Sequence, residues 1–334
     1  MSASPRSRKR ATITDVAREA GVAASTVSRT FTKPGRVNAA TRDHILEVAD
    51  RLGYAPNPAA RALESGRTNT LALLVPDITN PFFSGVIKGA ERAAVASGRT
   101  LVLADTQESA TTEAHIIRRL GPAVDGFVLA AARMPDDELR RVAEFDAVTL
   151  VNRAIRGISC VVADYETGTR QIVDHLASLG HRSLLFLGGP PESWSGARRW
   201  AGLQAAAQAH GIAVRRFGPY SPTLGGGAAA ADAAVAAGAT AVVCHNDMLA
   251  IGVLRRMRER GVSVPEHVSV VGFDNIFGSD LCRPSLTTLA ERTEDAGARA
   301  IEMLARQAYE RVAVADELVL PTQLVVREST GPAR

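Results

Sequence analysis

From residue 71 to residue 273, short apolar runs alternate with stretches whose apolar residues recur at helical spacing, and this rhythm limits the fold more than anything else in the chain. Strands are expected at 71–75, 101–104, 126–129 and 147–151, with helices at 81–97, 112–120 and 135–143 between them. A second set follows: strand 160–162, helix 165–179, strand 183–187, helices 196–210 and 226–237, strand 241–244, helix 247–260 and strand 268–273. Leu71-Ala72-Leu73-Leu74-Val75 is apolar at every position rather than every second one, so both of its faces must be covered. Such strands alternating with helices predict doubly wound parallel sheets, and two sets predict two lobes. Sheets of this kind bind ligands outside the carboxyl ends of their strands, so two facing lobes make a cleft able to close on a small molecule.

The amino-terminal segment follows a different rule. Thr12 precedes Ile13-Thr14-Asp15-Val16-Ala17-Arg18-Glu19-Ala20, with an acid in the first turn where the helix dipole favours it. Gly21 supplies a positive-φ stop, and Ala24-Ser25-Thr26-Val27-Ser28-Arg29-Thr30-Phe31 reads as a second helix with Val27 and Phe31 on one face. Two helices around a glycine turn form a helix-turn-helix. A third helix is expected over 39–52, capped by Asn38, stopped by Gly53, and burying Ile45, Val48, Ala49 and Leu52. Beyond Tyr54-Ala55-Pro56, Asn57 and Pro58 open a helix over 58–64, which is too short to persist alone in water and needs a docking partner to order it.

The run Thr14-Asp15-Val16-Ala17, Ala20-Gly21-Val22, Thr26-Val27-Ser28-Arg29 and Leu52-Gly53-Tyr54-Ala55-Pro56-Asn57 closely resembles the LacI/GalR family of repressors, and the likeness extends over about 12–330. It implies an α/β protein: a small all-α helix-turn-helix domain followed by a two-lobed, doubly wound parallel-sheet domain like that of periplasmic binding proteins. The corresponding boundaries are a disordered basic tail at 1–11, a DNA-binding head at 12–56, a hinge helix and linker at 57–70, and an effector-binding and dimerisation body at 71–334. Ala24, Ser25 and Arg29 match positions that read base edges. A guanidinium can bond guanine O6 and N7 together, whereas alanine can only touch a thymine methyl and serine discriminates poorly; a phosphate contact is the other role open to Arg29. Thr12, Thr14, Ser28, Thr32, Asn38 and Thr41 match phosphate-binding positions, with helix capping as the competing role. Ala23 departs from the usual serine cap, which costs about 1 kcal/mol at the start of the recognition helix. Asn57, Ala60 and Leu63 match the hinge, where Leu63 would wedge between base steps of the minor groove; packing as an ordinary linker residue is the alternative.

In the body, the resemblance points to Arg199, Asn246 and Asp274 as polar effector contacts, to Phe83 and Tyr220 as apolar walls, and more weakly to Asn152 and Ser195. A fork-shaped donor beside a carboxylate and an amide suits vicinal hydroxyls or a carboxylate. A ligand-free salt bridge between Arg199 and Asp274 is the competing reading, as is core packing for Phe83 and Trp194. Asp247 is expected to cap its helix, and the stretch 320–330 to form one final crossing strand.

Charge agrees with this division. Residues 1–70 hold 12 Lys/Arg against 6 Asp/Glu, whereas residues 71–334 hold 27 against 29, so the positive excess sits in the head. Segregated cations on a near-neutral body are the footprint of a phosphate-contacting module. Cys160, Cys244 and Cys282 have no Cys-x-x-Cys spacing and are expected to be reduced, with no metal and no cofactor. The first ten residues are basic without an apolar core to follow, and no apolar run is long enough to cross a bilayer, so a cytoplasmic protein without membrane attachment is expected. A transport receptor would share the two lobes but need a leader and no head. An enzyme is disfavoured: Gly225-Gly226-Gly227 lacks the spacing and the Lys-Ser/Thr of a phosphate loop, and no Gly-x-Ser-x-Gly occurs. The expected function is a homodimeric transcriptional repressor on double-stranded DNA with a near-palindromic operator, controlled by a small effector. The resemblance favours a sugar, with purines and amino acids left open.

Overall fold

A computed structural model describes residues 11–55, 66–310 and 315–334, and the chain divides into two units, Met1–Thr68 and Asn69–Arg334. Residues 1–10 of the predicted tail and the hinge residues Asn57, Ala60 and Leu63 lie outside the described residues.

Three helices make the first unit: α1 (Ile13–Ala20), α2 (Ala24–Thr32) and α3 (Ala39–Arg51). Thr12 caps α1 reciprocally. The Asp15 carboxylate accepts from Thr12 N at 2.9 Å and Oγ1 at 2.7 Å, while Asp15 N donates to Thr12 Oγ1 at 3.4 Å. Gly21 ends α1 at φ 66°, where its amide reaches the Ala17 and Arg18 carbonyls. Asn38 caps α3 by accepting from Ala40 N at 2.9 Å. Val16, Ala17, Val27, Ile45, Val48 and Ala49 form the core, and Phe31 closes it edge-on against Tyr54 with ring centroids 5.7 Å apart. The turn between α2 and α3 holds a short 3-10 segment, Pro34–Arg36.

The body contains two six-stranded sheets. The strands are β1 (Thr70–Val75), β2 (Thr100–Asp105), β3 (Phe127–Ala130), β4 (Val148–Val151), β5 (Ser159–Ala163), β6 (Ser183–Leu187), β7 (Ala213–Phe217), β8 (Ala241–Cys244), β9 (Ser269–Asp274), β10 (Thr287–Ala290), β11 (Glu317–Leu320) and β12 (Gln323–Val325). The helices are α4 (Pro81–Ala96), α5 (Ala110–Leu120), α6 (Asp136–Phe145), α7 (Tyr165–Ser178), α8 (Trp194–Ala209), α9 (Gly227–Ala236), α10 (Asp247–Glu259) and α11 (Thr293–Glu310). One sheet runs β11-β5-β4-β3-β1-β2 and the other β12-β10-β9-β8-β6-β7; every neighbouring pair is parallel except β10 with β12. The all-apolar strands behave as their composition requires. Leu71, Leu73 and Val75 enter one core and Ala72 and Leu74 the other, while Val242 and Cys244 part from Ala241 and Val243 in the same way.

Two expectations are corrected. The strand at 160–162 belongs to the first sheet, not the second set: β5 pairs with β4 and β11, and the change of lobe comes one residue after it. The tail is not one crossing strand. Pro321, which lacks an amide hydrogen, falls where β11 in the first lobe gives way to β12 in the second. Segments β7, β10, α11 and β11 add to the expected set. The chain thus passes between lobes three times: after β5, around Glu291-Arg292 between β10 and α11, and at Pro321-Thr322. Helix α11 returns to the first lobe, where Ala296, Ala300, Ile301 and Leu304 pack with Val86 and Ala90 of α4. The two helices cross so closely that a Cβ on Gly89 would lie 1.9 Å from the Glu294 carbonyl oxygen.

Candidate functional site

In the head, Ser25, Ser28, Arg29 and Thr32 fall on one face of α2 at helical spacing, opposite the buried Val27 and Thr30. Ala24, Ser25, Arg29 and Thr32 are exposed, as are Thr12, Thr14 and Asn38; Ser28 and Thr41 are half-buried. Arg18, Arg42 and Arg51 are engaged by Asp15, Asp43 and Glu19 at 3.4, 2.9 and 2.9 Å. Arg29 has no ion pair among the described residues, so its guanidinium is available to an outside acceptor. Ala23 is the N-cap of α2, and no side chain caps that helix. Thr12 and Asn38 do cap their helices, and Thr32 Oγ1 donates to the Ser28 carbonyl at 2.9 Å.

In the body, backbone strain marks the place. Seven described non-glycine residues have positive φ; all but Asn69 lie at or just after a strand's carboxyl end, namely Gln107, Glu108, Ala131, Asn152, Asp274 and Asn275. Strain of this kind persists only where the surroundings over-determine it, which is typical of ligand sites. Past the carboxyl ends of β1, β2 and β3 and of β6 and β7 lies a cleft of about 590 Å³, walled by Asp77, Glu108 and Arg133 from the first lobe and by Glu192, Tyr220 and Pro222 from the second.

Among the strand ends of the second lobe, Arg199 of α8, 3% exposed, gathers groups from four segments. Its Nη1 donates to the His245 carbonyl, and its Nη2 to Asp274 Oδ1 at 2.8 Å, Glu291 Oε1 at 2.9 Å and the Tyr165 hydroxyl at 3.3 Å. Its guanidinium lies over Phe273 and Tyr165. Glu291 Oε2 also accepts from Asn152 Nδ2 at 3.4 Å, which ties the first lobe to the cluster. Burial works against the Arg199 charge, but Tyr165, Asp274 and Glu291 outweigh it and raise the pKa. Asp274 is pushed well up, first by burial and then by the Glu291 and Asp247 charges, and the pull of Arg199 does not restore it. His245 is driven well down by burial and by Arg199, Arg133 and Arg216, and is therefore neutral.

Several expected contacts have other duties. Asn246, not Asp247, caps α10: its Oδ1 accepts from Leu249 N at 3.0 Å while Nδ2 donates to the Pro222 carbonyl at 3.1 Å. Asp247 lies inside and accepts from Ile276 N, Ser279 Oγ and Thr288 Oγ1 at 3.0, 2.6 and 2.6 Å, anchoring the loop after β9; burial pushes its carboxyl up to about 6. Phe83 packs in the first lobe's core at a right angle to Phe82, and Trp194 against Tyr165 where the lobes meet. Ser195 is buried, its hydroxyl 3.2 Å from that of the helix cap Ser193. Tyr220 is among the residues that line the cleft. Arg199 and Asp274 do form a salt bridge, with Glu291 on the same nitrogen. Glu291 went unread because it stands alone on a connection; its only signal is being an acid that directly follows the apolar end of β10. Among the described residues no group of His, Cys, Asp and Glu is placed to hold a metal, and no helix is long and apolar enough to cross a membrane.

Residues 12–57 match the model of bacterial regulatory proteins of the lacI family, and residues 173–330 that of the periplasmic binding protein-like domain. Catabolite control protein A of Priestia megaterium is 30% identical over 96% of this chain and 99% of its own length. The lac repressor dimer bound to operator and the anti-inducer ONPF superposes with a TM-score of 0.88 at 25% identity, covering 97% of this chain and 100% of that one. The regulator CelR in complex with cellobiose gives a TM-score of 0.72 at 29% identity, covering 96% and 100%.

Proposed function

The chain belongs to the lacI family of bacterial regulatory proteins, and from that premise we propose that it is a homodimeric, cytoplasmic repressor whose hold on a near-palindromic operator is set by a sugar bound between the lobes of its body. It is a DNA-binding transcriptional regulator with an effector domain, not an enzyme. A single helix-turn-helix reads only a few base pairs, so two-fold pairing matches an inverted repeat; the related lac repressor is a dimer on its operator. The exposed face of α2 would lie in the major groove, with Arg29 reading guanine, Ala24 and Ser25 beside it, and Thr12, Thr14, Ser28, Thr32, Asn38 and Thr41 at phosphates. Asn57, Ala60 and Leu63 would serve as the hinge in the minor groove.

One observation carries the effector reading: the Arg199–Asp274–Glu291 cluster of the second lobe is tied through Glu291 to Asn152 of the first, in a body whose two lobes are joined by three crossings. A sugar there binds both lobes, favours one of their arrangements and so biases the DNA-binding state. A coupling of about 1–3 kcal/mol changes operator affinity roughly 5- to 150-fold. CelR, which shares this architecture, binds cellobiose.

The test is titration of the protein onto inverted-repeat DNA from upstream of its own coding region, with and without a sugar panel. We expect salt-sensitive, sequence-selective binding that a sugar shifts. Arg29→Ala should weaken specific binding by about 1–3 kcal/mol and relax one operator position; unchanged affinity and preference would remove Arg29 from base reading.

A further inference from the structure

We infer that Ile276 is the residue that positions the two lobes: the second lobe inserts this side chain into the core of the first, and the seat so formed sets the lobe arrangement independently of any ligand. Its effect on DNA binding rests on the effector reading above. Ile276 follows β9, a strand of the second sheet, by two residues. It is 6% exposed, yet it joins neither core of its own lobe. All the other buried members of its cluster, among them Phe82, Phe83, Val151 and Ala296, belong to the first lobe. Met248 and Ile251, one turn apart on α10, pack half-buried against the same cluster. Apolar character alone does not select Ile276 for burial, since the larger Phe277 beside it is 84% exposed.

The backbone is bent to deliver this side chain. Asp274 and Asn275 both have positive φ, at 106° and 52°, a conformation that non-glycine residues keep only where their surroundings over-determine it. Here the second lobe supplies those surroundings. Asn275 N donates to Thr288 Oγ1 at 3.3 Å, and its Oδ1 accepts from Arg327 Nη2 at 2.8 Å. Asp247 Oδ2 accepts from Ile276 N at 3.0 Å and from Ser279 Oγ at 2.6 Å, while Oδ1 accepts from Thr288 Oγ1 at 2.6 Å. The carboxylate fits because Gly272 leaves it room: a Cβ on that glycine would lie 2.0 Å from Asp247 Oδ1. These bonds tie the turn after β9 to its own lobe, whereas the Ile276 side chain is buried in the other. A peg held by one body and buried in a second fixes their relative position. Separating the lobes would expose Ile276, Met248 and Ile251 together, and the lost apolar burial opposes it.

The experiment measures the distance between spin labels on the full-length protein, attached at His115→Cys on α5 and Ala229→Cys on α9, two exposed positions in different lobes. Cys282→Ser removes the one native thiol that is not buried, and dilution with unlabelled chains of the same variant restricts the reading to distances within one chain. With isoleucine or valine at 276 we expect one narrow distance. Ile276→Ala should lengthen or broaden it and change operator affinity about fivefold or more. Ile276→Thr, which matches valine in shape but buries a hydroxyl, should act like Ile276→Ala and keeps the test open if the alanine variant does not fold. Distances that stay as in the parent, in a threonine or alanine variant that melts cooperatively, overturn the seat. Changed distances with unchanged operator affinity leave the seat standing and overturn the reading that lobe arrangement governs DNA binding.

Discussion

His181, only 2% exposed, lies between Thr240 Oγ1 at 3.2 Å, Ser269 Oγ at 3.0 Å and the Gly331 carbonyl at 3.2 Å, and so holds the carboxyl-terminal segment against the second sheet. Burial pushes its pKa below the ordinary value, with the Gly331 carbonyl opposing. Below pH about 6.5 the unfolded chain therefore binds a proton that the folded chain resists. The resulting stability is complete above that value and is lost as the pH falls through it. Melting temperatures at pH 7.5 and 5.5 should differ less in His181→Gln than in the wild type; an equal difference would show that this imidazole does not carry the effect. Single residues also show what a sequence can reveal. Arg199 and Asp274 are legible because each stands beside a strand or helix end in a matched motif, whereas Glu291 stands on a connection that no periodicity marks. The neighbours Asn246 and Asp247 both have capping chemistry, and only the packing of the loop at 275–279 onto Asp247 decides which of them caps.

Among the elements, α2 starts from a backbone already in cap geometry, with Ala23 at φ −68° and ψ 145°, but without a side-chain acceptor. Ala23→Ser should supply one and stabilise the head by about 0.5–2 kcal/mol. A denaturant midpoint for the head that stays put would mean that solvent already satisfies those amides. The elements that went unread share a physical reason. In β7 the edge position lets Arg215 and Arg216 face water, so the apolar run that betrays a buried strand is missing. Strands β10 and β11 span four residues each, too few for a pattern. Helix α11 was within reach: Ala296, Ala300, Ile301 and Leu304 recur at helical spacing, although two of them are alanines and the signal is weak. The lobe to which β5 belongs was not legible, because order along the chain does not encode lateral pairing.

At the scale of the molecule, the first unit has its own small core and the body has four, two on each sheet. Residues 69–334 expressed alone should therefore fold, melt cooperatively and bind the same sugar as the full chain, while losing all operator affinity. A body that aggregates or no longer binds sugar would show that the division at Thr68 and Asn69 is not a folding boundary. The three passages between lobes have a further consequence, for heredity. Grafting a foreign head requires a single splice near residue 68, whereas grafting a foreign lobe requires three simultaneous ones, at the ends of β5, β10 and β11. One recombination between two such genes can join an existing sensor to a new chromosomal address, but the halves of the sensor travel together.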